Sequence, residues 1–294
     1  MTLPSPVELF SNATADVQRR LGGLLRDKVA GSDAPERAQQ IWGKPGPRWF
    51  THGDPIWRVH ADASMFVGGI RALLLQSLHP RAMAAVSQHS GFRGDPWGRL
   101  QRTSTFLATT TYGTIPAAER MITAINRIHS RIEGHTADGL PYRADEPELL
   151  AWVHVAEIDS FLSTHDQFGA SPLTAAERDR YVEQAAGTAR QLGVLDPPTT
   201  VAGLAAVLES YRPLLRMTPE AREARDLLLK HPPLSAFEQV GYRSMTAGAI
   251  ASLPAWARPM LELPTLPITD RMISRPVTRT TLAGLRWALT PVSA

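Results

Sequence analysis

The sequence predicts an all-α protein, a single-domain helical bundle spanning residues 1–294. Three observations predict this class. Apolar residues recur at helical spacing in most segments, and residues that start or stop helices border those segments. We find no run in which apolar and polar residues alternate as in a half-buried strand, and no hairpin turn of the Asn-Gly kind. Linkers of low complexity and repeats of fixed period are also missing from the sequence, which favours one domain.

The helices predicted for the first half of the chain have clear start signals. Asp95 can accept hydrogen bonds from free backbone N–H groups, and Pro96 suits the first helical position. Gly113 is expected to end that helix, and Gly134 to cap the next one. In order, these predicted helices cover 62–78, 80–90, 96–112 and 116–133.

The second half continues the same pattern. Pro147 opens a long apolar helix, and Thr174 with Glu177 forms a capping box, in which side chains and backbone N–H groups pair reciprocally. Gly193 is expected to end the helix that this box begins. The predicted helices here cover 147–167, 174–192, 200–215, 218–230, 236–252 and 269–288.

Composition excludes several classes of protein. The net charge is only +3, so no nucleic-acid partner is indicated. The absence of cysteine excludes disulfides, thiolate haem ligation and iron–sulfur clusters. The apolar stretch 65–78 contains Arg71 and is too short to cross a bilayer. Since the N-terminus does not resemble a secretion signal, we expect a cytoplasmic protein, with peripheral lipid association left open.

Two histidines lie on apolar helix faces. His129 recurs at helical spacing with Ile122 and Ile125, and His154 with Ile158. A histidine that faces a core needs partners for both ring nitrogens, unless one of them binds a metal. Periodicity alone does not choose between His129 and His154 as a ligand, and it also permits a purely structural role for either.

A second cluster lies on the helix that follows Pro96. Arg99, Arg102 and Thr103 share one helical face, because they are three and four residues apart. Such a face can be an exposed ridge, or it can supply the polar wall of a haem pocket, where an arginine holds a propionate. A non-haem iron site built on His129 with Glu133 and on His154 with Glu157 is a further alternative, although di-iron bundles use the reverse Glu-x-x-His order.

These residues belong to a set of motifs that resembles a known family, the haem-dependent oxygenases that include latex clearing protein and the mycophenolic-acid-pathway oxygenase. The motifs cover about residues 50–200. They are GDPIWRVHAD (53–62), RALLLQSLHPRAMAAVSQHSGF (71–92), DPWGRLQRT (95–103), TTYGT (110–114), IHSRIEG (128–134), PYRADEPELLAWVH (141–154) and FGASPLTAAERDRY (168–181).

The resemblance implies a globin-like helical core around haem b, on which helices 200–294 pack. It implies that His129 is the proximal ligand, with His154 as the fallback, and that Arg99, Arg102 and Thr103 form the distal polar group. Rubber-cleaving members carry lysine where this chain has Arg102, a departure that argues against rubber as the substrate.

The function expected from the resemblance is a haem-dependent oxygenase that uses O2 on a small apolar, unsaturated substrate such as an isoprenoid or lipid. Oxidative cleavage of a C=C bond is the favoured reaction. The alternatives are a haem-binding protein without turnover, a haem hydroxylase or peroxygenase-like enzyme, and a non-haem iron protein. The oligomeric state does not follow from the sequence.

Overall fold

Helices dominate the computed structural model, which describes residues 34–91 and 93–290. The all-α prediction is confirmed, since two three-residue strands are the only strands in those ranges. Residues 1–33 of the expected domain lie outside the described residues. The helices are α1 (Ala34–Ile41), α2 (Pro55–Ala61), α3 (Ser64–Ser77), α4 (Pro80–His89), α5 (Pro96–Tyr112), α6 (Ile115–His129), α7 (Pro147–Phe168), α8 (Ala175–Leu192), α9 (Val201–Ser210), α10 (Pro219–Leu229), α11 (Ala236–Ser252), α12 (Ala257–Met260), α13 (Pro267–Thr269) and α14 (Arg275–Leu289), with a 3-10 turn at Arg212–Leu214 and a π-helical turn at Asp270–Ser274.

Helices α3 and α7 form the centre of the core and pack extensively on each other. Their close approach depends on Gly68, where an added Cβ would lie 2.8 Å from Thr164 Oγ1 and 2.9 Å from Phe161 Cδ1. Trp152 of α7 is fully buried, and its indole N–H donates to the Gln76 carbonyl at 3.2 Å. These contacts bury the apolar faces that the sequence periodicity predicts.

The C-terminal helices complete the same core. Helix α11 packs on α3, and α14 packs on α11 and α7. Arg71, buried in α3, donates to the Ser252 carbonyl at 3.0 Å and forms an ion pair with Asp159 at 2.7 Å. Arg286 of α14 reaches Asp62 at 2.8 Å, and Leu282 of the same helix is fully buried. One continuous apolar core therefore extends from α2 to α14.

The chain between α6 and α7 differs from the prediction. Helix α6 ends at His129 rather than at Glu133, and the next residues form the strands β1 (Glu133–His135) and β2 (Pro141–Arg143), which pair antiparallel. Gly134 is a strand residue rather than a helix cap, and it pairs with Tyr142. An added Cβ would lie 2.5 Å from the Tyr142 hydroxyl, so this close approach depends on glycine. Asp138-Gly139, with Gly139 at φ +83°, is the turn signal that would have predicted this hairpin.

No helix among the described residues is long and apolar enough to cross a membrane.

Candidate functional site

A hairpin of two helices, α5 and α6, carries the polar cluster and one of the two candidate histidines. Asp95 caps α5, and its carboxylate accepts from the Gly98 N–H at 2.8 Å. Arg99 near the start of α5 and His129 at the end of α6 are almost equally far from the turn, about 20 Å along each helix at 1.5 Å per residue. The hairpin therefore brings Arg99 and His129 to the same end of the pair.

The structure places the two arginines of the predicted polar face in different environments. Arg99 is half-buried and has no hydrogen-bond or ion-pair partner among the described residues. Burial, and then the positive charge of Arg102, lower the pKa of the Arg99 guanidinium. Arg102 has a side chain that is 63% exposed and pairs with Asp95 at 3.4 Å. Thr103 is exposed as well, and its hydroxyl donates to the Arg99 carbonyl at 3.1 Å.

His129, the last residue of α6, is partly buried. Its Nδ1 is inaccessible to solvent and has no partner among the residues described. Burial lowers the pKa of the imidazole, an effect that the carboxylate of Asp145 partly opposes. The ring is therefore neutral at neutral pH, the form that binds metals.

His154 lies on the inner side of α7, and Glu157 follows it one turn later. The Nε2 of His154 is buried without a partner in the described part of the chain, and burial lowers its pKa to about 4. Glu157 forms no hydrogen bond or ion pair with any described residue, and burial raises its pKa to about 7. Both side chains keep some accessible surface.

Arg99, His154 and Glu157 share an unusual combination of properties. Desolvation dominates the pKa shift of each, yet each retains accessible surface. These three side chains are therefore desolvated without belonging to the fully buried core. The α5–α6 hairpin packs on α2 and α8, both of which pack on α7, while α5 and α7 do not pack extensively on each other.

Helix α8 contacts both α6 and α7 at its C-terminal end. Near its C-terminal end, the Gln191 carbonyl accepts from Asn126 Nδ2 at 2.9 Å, one turn before His129. At the same end, an added Cβ on Gly193 would lie 3.3 Å from Leu150, one turn before His154. The C-terminal end of α8 therefore lies between the turns that carry His129 and His154.

A polar chain links α2, α5 and α8 near the turn of the α5–α6 hairpin. His60 Nδ1 lies 2.8 Å from the Thr111 hydroxyl, and His60 Nε2 lies 3.3 Å from the Tyr181 hydroxyl. The His60 ring also contacts Phe161, with 5.5 Å between ring centroids. Burial lowers the pKa of His60 to about 3 and, with help from the charge of Glu157, raises that of Tyr181.

The unpartnered groups on α5, α6 and α7 have the chemistry that haem binding needs. Haem needs a neutral imidazole for its iron, cations for its carboxylates and apolar surface for its ring. His129 and His154 each supply an imidazole without a partner, and Arg99 supplies an unpaired cation. Among the described residues, no group of three or more histidine, aspartate and glutamate side chains could hold a metal ion. Glu133 lies in β1 rather than on the helix of His129, so the two are not on one helical face as the non-haem iron alternative requires.

The sequence pattern does not indicate His60 and Tyr181 as parts of the candidate site, and it indicates Glu157 only as a partner of His154 in a non-haem iron site. A signal existed for it, since a carboxylate one turn after His154 must share the inner face of α7. No local pattern indicates that His60 and Tyr181 meet, because they lie on different helices far apart in the sequence.

Comparison with known proteins gives a match to one protein family. The profile of the family described as "ER-bound oxygenase mpaB/B'/Rubber oxygenase, catalytic domain" matches residues 57–287. The match contains every residue of the candidate site and extends into the C-terminal helices.

A solved structure described as "Structure of Latex Clearing Protein LCP in the closed state" is similar in fold. The TM-score is 0.50 at 18% sequence identity, over 98% of this chain and 82% of that one. No curated protein matches the sequence.

Proposed function

The chain belongs to the mpaB and rubber oxygenase family, and we propose from this that it is a haem b-dependent oxygenase that cleaves a C=C bond of a small apolar substrate with O2. The observation that carries the proposal is the group of unpartnered side chains Arg99, His129 and His154 on α5, α6 and α7. We propose that haem occupies one internal space between these helices and α8. Haem, when bound, would supply the redox chemistry that lets O2 react with an alkene.

His129 is the proposed axial ligand. Burial keeps its imidazole neutral, so ligation requires no prior loss of a proton. It lies at the same end of the hairpin as Arg99, whereas His154 lies on α7. We assign His154 to the wall of the space, where its unpaired nitrogens would orient a ligand or substrate.

Arg99 is the proposed anchor for a haem propionate. A half-buried guanidinium without a protein carboxylate can form charge-assisted hydrogen bonds to a ligand carboxylate without first breaking an ion pair. Thr103 and Arg102 are exposed on the same helix, and their proposed place is at the entrance of the haem pocket. The proposed role of Arg102 is to tune ligand access rather than to bind iron, because its guanidinium stays protonated.

The proposed substrate is an isoprenoid or lipid-like alkene. Partly buried apolar side chains of α3, α5 and α6 are available for its binding: Met65, Phe66, Leu73, Phe106 and Ile125. In the proposed reaction, the C=C bond breaks and both atoms of O2 become the oxygens of two carbonyl products, so no external reductant is consumed. The protein would exclude water and hold the double bond in place.

Titration of the purified protein with hemin tests the cofactor. We expect the wild type to show a Soret band and His129→Ala to lose most of it. His154→Ala should keep the band, as should the control His135→Ala, whose side chain is exposed. Arg102→Ala should keep haem but change the spectrum with added ligands such as cyanide. A protein that stays colourless with hemin would refute the proposal, and loss of haem only in His154→Ala would move the ligand to His154.

Oxygen consumption separates an enzyme from a haem carrier. The haem-loaded protein should consume one O2 for each pair of carbonyl products formed from an isoprenoid, as measured with an oxygen electrode and by mass spectrometry with 18O2. Haem binding without O2 uptake on any alkene would indicate a carrier, and a hydroxylated product would indicate a hydroxylase.

A further inference from the structure

The segment that begins at Leu266 exposes an unusual number of large apolar side chains. Ile268 is 78% exposed and Met272 67% exposed, although residues of these types are normally buried. The exposed side chains lie on α13, on the π-helical turn and on the first turn of α14, and we call them the apolar strip. Its members are Leu266, Ile268, Met272, Ile273 and Val277.

The outward direction of the apolar strip is determined by contacts on the opposite side of the same segment. Asp270 is buried and pairs with Arg258 at 2.5 Å. Thr278, also buried, donates to the Ser244 carbonyl at 2.8 Å. The segment cannot rotate to bury the strip without breaking these contacts, so the strip faces outward in the folded protein.

The exposed charges within residues 266–280, the segment that carries the apolar strip, all have one sign. From Arg271 to the end of the sequence there are four arginines and no aspartate or glutamate. Arg271 and Arg279 are exposed, and the Arg279 Nε donates to the Gln167 carbonyl at 3.2 Å. The net charge of the whole chain is only +3, so this is a local feature.

We propose that the apolar strip, with Arg271 and Arg279, docks the protein on the surface of an anionic lipid bilayer. Exposed apolar side chains on a helix lying along the surface can enter the boundary between headgroups and acyl chains, while neighbouring arginines bind lipid phosphates. A lipid surface suits this face better than a protein does, because the side chains project outward and the exposed charges of the same segment, Arg271 and Arg279, are positive. The proposal does not depend on haem or on turnover.

Co-sedimentation of the full chain with vesicles tests the proposal. The wild type should sediment with vesicles of phosphatidylcholine and phosphatidylserine, and much less with phosphatidylcholine alone. Combined Ile268→Ser, Met272→Ser and Ile273→Ser should weaken this binding by more than about tenfold, because three apolar insertions are lost. Combined Arg271→Gln and Arg279→Gln should remove the preference for anionic vesicles.

Matched variants control for apolar and charged residues elsewhere. Leu195 is 81% exposed outside the strip, and Leu195→Ser should leave vesicle binding unchanged. Arg120→Gln removes an exposed cation from α6 and should also have no effect. All the changed side chains of the strip are exposed, so melting temperatures should stay close to that of the wild type, which confirms folding. Equal vesicle binding by the wild type and the triple serine variant, or no binding by either, overturns the proposal.

Hydrogen exchange separates a bilayer from the other possible occupants of the strip. Peptides covering residues 266–280 should exchange more slowly with anionic vesicles present than in the free, dilute protein. Protection already present in the dilute protein would mean that another part of the chain covers the strip. Sedimentation velocity without vesicles that shows a dimer in the wild type, absent in the triple variant, would assign the strip to a second copy. Either result refutes lipid docking.

Discussion

Replacement of Glu157 by glutamine should stabilise the protein at alkaline pH and not at acidic pH. The carboxyl group has no partner among the described residues, and burial raises its pKa from 4.5 to about 7. The folded protein therefore binds this proton more tightly than the unfolded chain does. Stability is lost as the pH rises from 4.5 to about 7, because over this range Glu157 ionises in the unfolded chain while burial keeps it protonated in the folded protein.

The size of this effect follows from the two pKa values. The pKa difference corresponds to a cost of about 3 kcal/mol at pH 8, and to less than about 1 kcal/mol at pH 5. Glutamine keeps the shape of the side chain and has no charge to bury. The free energy of unfolding of Glu157→Gln minus that of the wild type should therefore be about 2 to 3 kcal/mol larger at pH 8 than at pH 5.

Urea denaturation of the haem-free protein, followed by circular dichroism at both pH values, measures this difference. When the free energies of unfolding of the variant and the wild type are subtracted at the same pH, the contributions of the other titrating groups cancel, provided that the substitution does not disturb them. Glu119→Gln is the matched control, because its carboxylate on α6 is exposed and the substitution should have the same effect at both pH values. A Glu157→Gln effect that is independent of pH would show that Glu157 is not a desolvated carboxyl group.

Three further predictions concern stability and can be measured by chemical or thermal unfolding. Thr174→Ala removes the capping box of α8 and should cost about 1 kcal/mol. Gly68→Ala should cost about 1–3 kcal/mol, because its Cβ would collide with α7 side chains, whereas Gly69→Ala has open space and should be neutral or stabilising. Arg258→Met leaves the carboxylate of Asp270 buried without its partner and should cost about 3–5 kcal/mol; joint replacement of both residues by apolar ones should restore much of that loss. A negligible effect of Arg258→Met would show that water reaches this ion pair.

Several helix starts were predicted correctly from a local signal, although α2, which Asp54 and Pro55 begin, was not predicted. Asp95 with Pro96, Pro147, and Thr174 with Glu177 each act within one turn of backbone, so the residues beside them are sufficient to specify the start. The end of α6 was predicted four residues too late. Its position depends on the pairing of β1 with β2 and on the close approach of Tyr142 to Gly134, which are contacts across a loop.

The sequence by itself determined the all-α class, most helix starts and part of the candidate site, because these depend on interactions within a few residues. Helical periodicity shows which side of its own helix a residue occupies, so it identified Arg99, His129 and His154. Only the tertiary structure decided what those sides face: Arg99 is half-buried and unpaired while Arg102 is exposed, and Glu157 is desolvated beside His154. The physical reason is that burial and electrostatics depend on neighbours from other helices, whose positions follow from the packing of the whole chain.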